Sequence, residues 1–400
     1  MQPAVLIRLQ PLGPWRYGPG EGGFDQLDSL YRSDRLYSAV TLAMKQLGFL
    51  EEWLDATARA STPAVVFSSL FPFQADVLFA PPPATLWPPP SALVTAPSPV
   101  FLTKLRWSAA RFVPLSLIES ILLGENVLAD QWIPDPESGC LLRRDRPTPS
   151  PFRAVTRTAA AVDRITRAAV HVTLSACVEF EPGSGLWTIA RYADAGVEST
   201  WSLKLESAFR LLADTGFGAR RSSGWGRSEV PQFQTGSWPA LLTPKLSRSL
   251  RTERQSPNGD TGAPVFWLLS LYSPSPADAI DWKTGQYQFA IRGGRVEGAL
   301  AAEKKSVHMV SEGSVLASDA EPIGTAVDVA PDGFAHPVYR CGFAFVLKLP
   351  TPRSTAETEP VETPSDPDAL ESRPCDQPEP APVNLEPEPT TNTGEPGDEI

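Results

Sequence analysis

Short apolar runs and helically spaced ones take turns along the first 350 residues, which predicts a mixed α+β chain. Ala4 to Leu9 is an apolar run closed by Pro11 and predicts an opening strand. A glycine-rich turn follows from Leu12 to Gly23, with Trp15 and Tyr17 inside it. Leu36, Val40, Met44 and Leu47 then share one helical face, with Ser33 as the cap and Gly48 as the stop, so a helix is expected over 34–47. Val65 to Phe73 and Val77 to Phe79 read as strands, and residues 81–99 carry too much proline for regular structure. Residues 112–123 turn apolar again and read as helical in their second half. Ala169 to Glu181 and Leu186 to Tyr192 alternate as strands across an EPGSG turn. Ser202 to Asp214 places Leu205, Phe209 and Leu212 on one face of a helix, and Glu229 to Gln234 is strand-like. Strand, turn, strand, helix, loop, strand is the order of half a ferredoxin-like sandwich.

Residues 244–264 are polar and read as a linker or loop. Beyond them, Val265 to Tyr272, Tyr287 to Arg292, Val296 to Leu300, Ser306 to Leu316 and Val338 to Leu349 are strand-like, the second and third joined across Gly293 and Gly294. The organisation expected is residues 1–240 as one domain, 241–264 as linker, 265–350 as a second portion and 351–400 as a tail. With eleven prolines in fifty residues and many acids, the tail cannot bury a core and is expected to be disordered.

Charge changes the picture once it is located. The net charge is −11, and residues 351–400, with thirteen acids against two arginines, carry all of it. Residues 1–350 balance at 33 basic and 33 acidic groups, which disfavours loose charge-driven binding to nucleic acid and favours a shaped site. Cys140, Cys177, Cys341 and Cys375 are scattered without a CxxC pair, which fits reduced thiols in the cytoplasm better than a disulfide framework or a zinc site. No cofactor or metal is implied. The opening residues lack the pattern of a signal peptide, and no apolar run approaches the roughly twenty residues of a membrane span.

The chemistry concentrates in residues 216–227, GFGARRSSGWGR. Gly216, Gly218, Gly224 and Gly226 permit left-handed backbone and close approach to a ligand, and successive N–H groups in such a turn can form an anion site. Arg220, Arg221 and Arg227 add forked donors for phosphate, Ser222 and Ser223 add hydroxyls, and Trp225 offers a stacking face. A nucleotide-hydrolysing P-loop is excluded because Arg227 and Ser228, with no lysine, follow Gly226. A dinucleotide fingerprint is excluded because here the helix precedes the glycines and the strand follows. The plain alternative is a helix-to-strand connection that binds nothing. A second basic stretch, residues 141–168, includes Arg157, Arg164 and Arg167; it reads either as a solvated loop or as an extended arm able to lie along a nucleic acid.

Several blocks together resemble the RAMP superfamily of CRISPR effector subunits, and within it the subunit that caps the crRNA 5′ end in type III-A (Csm-type) complexes. They are the opening strand with its glycine turn, SDRLYSAVTLAMKQLG at 33–48, VDRITRAA at 162–169, GLWTIARY at 185–192, the loop's G-x-G-x-x-R-x-x-G-x-G spacing, KKSVHMVSEGSVL at 304–316 and HPVYRCGFAF at 336–345. The resemblance implies two ferredoxin-like (RRM-like) domains packed together. It implies a bound crRNA 5′ tag, a large polymerase-like partner and contact with the repeated RAMP backbone subunit. By the same resemblance Gly216, Gly218, Arg221, Gly224 and Gly226 belong to the RNA-binding loop, and Arg157, Arg164 and Arg167 to the basic arm. Trp15 and Tyr17 are further candidates for base stacking, against the alternative of core packing.

The resemblance leaves two alternatives open: the equivalent type III-B subunit, and an endoribonuclease that processes precursor crRNA. Cleavage without a metal needs a general acid or base, commonly histidine. Only His171, His308 and His336 are present, each read as structural. The glycine loop also lies mid-chain, whereas in the processing nucleases it lies near the C-terminus. The expectation is therefore a chain that grips RNA without cutting it.

Overall fold

The computed structural model describes residues 2–18, 27–28, 30–96, 99–253, 263–296 and 302–350. In it the opening strand, Gln2–Leu9, pairs antiparallel with Ser184–Tyr192 on one side and with Gln232–Trp238 on the other. Val65–Phe67 and Phe71–Gln74 pair with the far edge of Ser184–Tyr192, and Val77–Ala80 and Val113–Pro114 complete a seven-stranded sheet. Helix Ser33–Gln46 follows the first strand and helix Ala195–Thr215 follows the third of the basic motif. Counted in chain order, the strands lie fourth, first, third, second, which is the ferredoxin-like arrangement anticipated for this half.

The helix over Ser33–Gln46 buries Leu36, Val40 and Met44, as their spacing requires, but it also buries Asp34. Ser33 does not cap it. Its hydroxyl instead accepts a hydrogen bond from Leu271 N at 3.0 Å, tying the helix start to the C-terminal section. The later helix begins seven residues before the expected Ser202, because Asp194 accepts from Val197 N at 2.9 Å and nucleates an earlier turn.

The C-terminal section forms a four-stranded antiparallel sheet in the order Ile280–Gln286, Val315–Ser318, Val265–Leu268, Val346–Lys348. This repeats the ferredoxin-like strand order, yet no helix occurs among the described residues from 263 to 350. Pro274 and Pro276 stand in the first crossover, and Pro322, Pro331 and Pro337 in the last, where helices would have to run. Hairpins are inserted instead: Phe289–Arg292 with Val307–Val310 between the second and third strands of this sheet, and Gly324–Asp328 with Tyr339–Phe343 in the last crossover. The expected second sandwich is therefore a sheet with hairpins.

Apolar packing runs without a break from the first sheet into this section. Trp238 meets Phe345 edge-on with ring centroids 4.7 Å apart, and Tyr37 meets Phe343 at 6.3 Å. Residues 1–352 form one compact unit. Within the stretch read as linker lies helix Pro244–Glu253, whose first amides, Lys245 N and Leu246 N, donate to Glu119 Oε1 at 2.7 and 2.9 Å. Two other short helices, Leu50–Ala56 and Val100–Trp107, had no clear signal in the sequence pattern. The expected tail 351–400 and most of the expected strand 296–300 lie outside the described residues. No helix among those described is long and apolar enough to cross a membrane.

Candidate nucleic-acid interface

The glycine loop leaves helix Ala195–Thr215 and folds onto residues 11–16 of the opening turn. Phe217 plunges into the core and stacks on Trp15, centroids 5.0 Å apart and planes 15° from parallel. Leu12 N and Trp15 Nε1 donate to Arg227 O, Gly226 N donates to Pro14 O, and Ala219 N donates to Arg16 O. Glycine is demanded where these backbones meet. A Cβ on Gly226, at φ +80°, would stand 1.9 Å from Phe217 O, and one on Gly218, at φ +75°, would stand 2.3 Å from Arg16 O.

Four of the loop's amides are spent inside the loop: Phe217 N on Gly226 O, Ser223 N and Trp225 N on Arg220 O, Gly224 N on Arg221 O. These four are thereby withdrawn from the anticipated nest of N–H groups, and the loop also presents side chains. Ser222, Ser223 and Arg227 are exposed, while Arg220, Arg221 and Trp225 are half-buried. The Arg220 guanidinium lies 5.6 Å from the centre of the Trp225 ring. Trp15 and Tyr17 are core residues, at 0% and 4% exposure, and are not available to stack on bases.

Beneath the loop opens a cleft of about 1140 Å³, walled on one side by Gly216, Gly218 and Arg221 and on the other by Gly293, Gly294 and Lys304. Arg16, Arg35, Arg221, Arg295, Lys304 and Arg340 line it, against the carboxylates Asp34 and Glu303. That excess of positive charge sits in a chain section whose total is zero, so the fold has gathered it. Its floor is an ion cluster. Arg292 binds Asp34 through Nε at 3.0 Å and Nη2 at 3.1 Å and reaches Asp28 through Nη1 at 3.1 Å. Arg340 donates to Asp34 and, at 2.8 Å, to Gly293 O. Arg32 pairs with Asp28 and Glu312. Burial alone would raise the Asp34 carboxyl, but the Arg292, Arg340 and Arg35 guanidiniums overcome it and hold the group well below the usual carboxylate range. Burial likewise pushes the Tyr31 hydroxyl up to about 12, opposed by Arg35, the Gly218 amide and Arg221.

Arg32, Asp34, Arg35, Arg292 and Arg340 lie outside the motif that the sequence singles out. Their one local signal was two arginines flanking an acid at a helix start beside a glycine turn. The partners lie some 260 to 300 positions away, where no local pattern reveals them.

The basic arm is an antiparallel hairpin, Phe152–Val162 with Ala169–Phe180, whose distal part is exposed on both strands. Arg157 is paired, its Nη2 2.6 Å from Glu179 Oε1, whereas Arg164 and Arg167 sit at the exposed tip. The hairpin residues do not line the cleft. His171 lies on this hairpin and His308 on strand Val307–Val310, and neither lines the cleft. Among the described residues no group of three metal-ligating side chains comes together.

Residues 261–349 match the family model described as the CRISPR Csm4 C-terminal domain. No curated protein matches the chain in sequence. A chain of the Csm3-Csm4 subcomplex in the type III-A CRISPR-Cas interference complex shares the fold with a TM-score of 0.56 at 14% identity, over 87% of this chain and 100% of that one. In its C-terminal section and in its fold, the chain is similar to Csm4-type RAMP subunits. A chain of the Csm1-Csm4 cassette in complex with cA4 gives a TM-score of 0.51 at 17% identity, over 88% of this chain and 99% of that one. At these identities the likeness is one of fold.

Proposed function

We propose that this chain is a non-catalytic, cytoplasmic RNA-binding subunit of a type III-A CRISPR effector complex for antiviral defence. It anchors the crRNA 5′ tag in the cleft and docks the large polymerase-like subunit and the first repeated backbone subunit. The observation that carries the reading is the cleft itself, where a side-chain-bearing loop faces a second glycine turn above an arginine-rich floor. Guanidinium groups and serine hydroxyls are suited to phosphate oxygens, and a half-buried Trp225 offers a face worth roughly 1–3 kcal/mol per stacked base. Arg164 and Arg167 at the hairpin tip extend the basic surface available to the same strand.

The non-catalytic reading is supported by a cleft lining that holds no histidine among the described residues, histidine being the commonest general acid or base. The type III-A assignment over III-B draws on the Csm4 C-terminal match at 261–349. The partners carry over from relatives solved in Csm1-Csm4 and Csm3-Csm4 assemblies. The test is co-purification of the full chain from cells expressing the surrounding operon, with sequencing of the bound RNA. Guide RNAs sharing one 5′ leader, lost on changing Arg220 and Arg221 together to Ala, are expected. RNA without a common leader, or recovery unaffected by the double change, would overturn the reading.

A further inference from the structure

The ion cluster under the cleft is one negative charge short. Asp28, Asp34 and Glu312 face Arg32, Arg35, Arg292 and Arg340, three carboxylates against four guanidiniums among the described residues. The shortfall falls on Arg35. Arg32 has two acidic partners, Arg292 holds Asp34 bidentately, and Arg340 is bonded to Asp34 and Gly293 O. Among the described residues the one ion pair of Arg35 is with Asp28 Oδ2 at 3.8 Å, beyond hydrogen-bond range, and its Nη1 is closed off from solvent with no hydrogen-bond partner. Burial, and then the neighbouring Arg292, push its guanidinium below the ordinary arginine value. A half-buried cation with one nitrogen sealed and unbonded is costly unless something completes it.

Arg35 stands in the first turn of helix Ser33–Gln46 and lines the cleft with Gly218 and Arg221. The geometry points to Arg35 as the seat of one phosphate of the bound strand, which supplies the charge that the cluster lacks. The helix N-terminus adds a favourable field for the same anion. This rests on the reading that the cleft holds RNA. It goes further in predicting that the empty protein carries a strain which RNA relieves.

The test uses the full chain, a short single-stranded RNA read by fluorescence anisotropy over a range of salt, and thermal melts without RNA. Arg35→Gln should melt at or above the wild-type temperature while binding RNA about tenfold or more weakly. Its slope of log K against log salt should shrink by about 0.7, one single-strand phosphate contact. Arg35→Lys, which keeps the charge, should keep the slope. A lower melting temperature for Arg35→Gln would overturn the proposal, because it would mean that the charge is already compensated. So would wild-type binding by Arg35→Gln, with Arg221→Ala as the arbiter. If Arg221→Ala alone weakens binding, the cleft holds RNA and the seat is wrong; if neither does, the cleft reading fails as well.

Discussion

Arg292 grips both carboxylate oxygens of Asp34, Nε to Oδ2 at 3.0 Å and Nη2 to Oδ1 at 3.1 Å, across 258 positions of the chain. The pair joins the first turn of helix Ser33–Gln46 to the hairpin strand Phe289–Arg292, so both walls of the cleft share one buried fastening. Both side chains are almost wholly shielded from solvent, and an ion pair in that setting punishes the loss of either partner.

Changing Asp34 to Asn should therefore destabilise the fold by about 3–5 kcal/mol, the cost of stranding buried guanidinium groups. Urea unfolding at neutral pH measures it. The sign with pH follows from the depressed carboxyl. Its contribution is complete above the unfolded value near pH 4 and is lost as pH falls toward the lower folded value. The gap in urea midpoint between wild type and Asp34→Asn should thus narrow as the pH is taken below about 4. A gap that stays constant would show that Asp34 is not ionised in the fold.

Two glycines of the loop share a backbone conformation and differ in surroundings, which separates close approach from torsional strain. Gly226 has φ +80° with Phe217 O in the way of any Cβ, and Gly224 has φ +81° with nothing within 4 Å. Gly224→Ala should cost about 1–2 kcal/mol, the left-handed penalty alone. Gly226→Ala should cost distinctly more and loosen the Phe217 anchor, seen as a larger drop in melting temperature and weaker RNA binding. Equal drops would mean that the loop yields at Gly226.

The first sheet was legible because its pattern is local. Leu36, Val40 and Met44 on one side and the alternation through Leu186–Tyr192 fix the elements and their order without outside help. The second half was less so, since its strand order matches while prolines at 274, 276, 322, 331 and 337 remove the helices that the resemblance implied. In the site, the glycine loop announced itself by composition. The arginines beneath it did not, because Arg292 and Arg340 become site residues only through contact with Asp34, and Trp15 looked like a stacking face until its ring met Phe217.

Removing Arg220 and Arg221 together should lower affinity for single-stranded RNA and reduce the salt slope by about 1.4, two phosphate contacts. Anisotropy titrations from low to moderate salt give both numbers. A fall in affinity with no change in slope would assign the loss to Trp225, whose ring sits under the Arg220 guanidinium, and to stacking in place of phosphate contact.

His308 faces solvent on strand Val307–Val310, paired opposite Ile291 and outside the cleft lining, and His171 lies on the exposed hairpin. Neither stands beside Arg35 or Arg221, where the proposed phosphate would lie, and a general base must reach the proton that it removes within hydrogen-bond distance or through one water. The purified chain should therefore leave a labelled precursor RNA intact while retaining it in a binding assay. Specific cleavage that disappears in His308→Ala or His171→Ala would bring the endoribonuclease reading back and displace the proposal of a subunit that only holds its RNA.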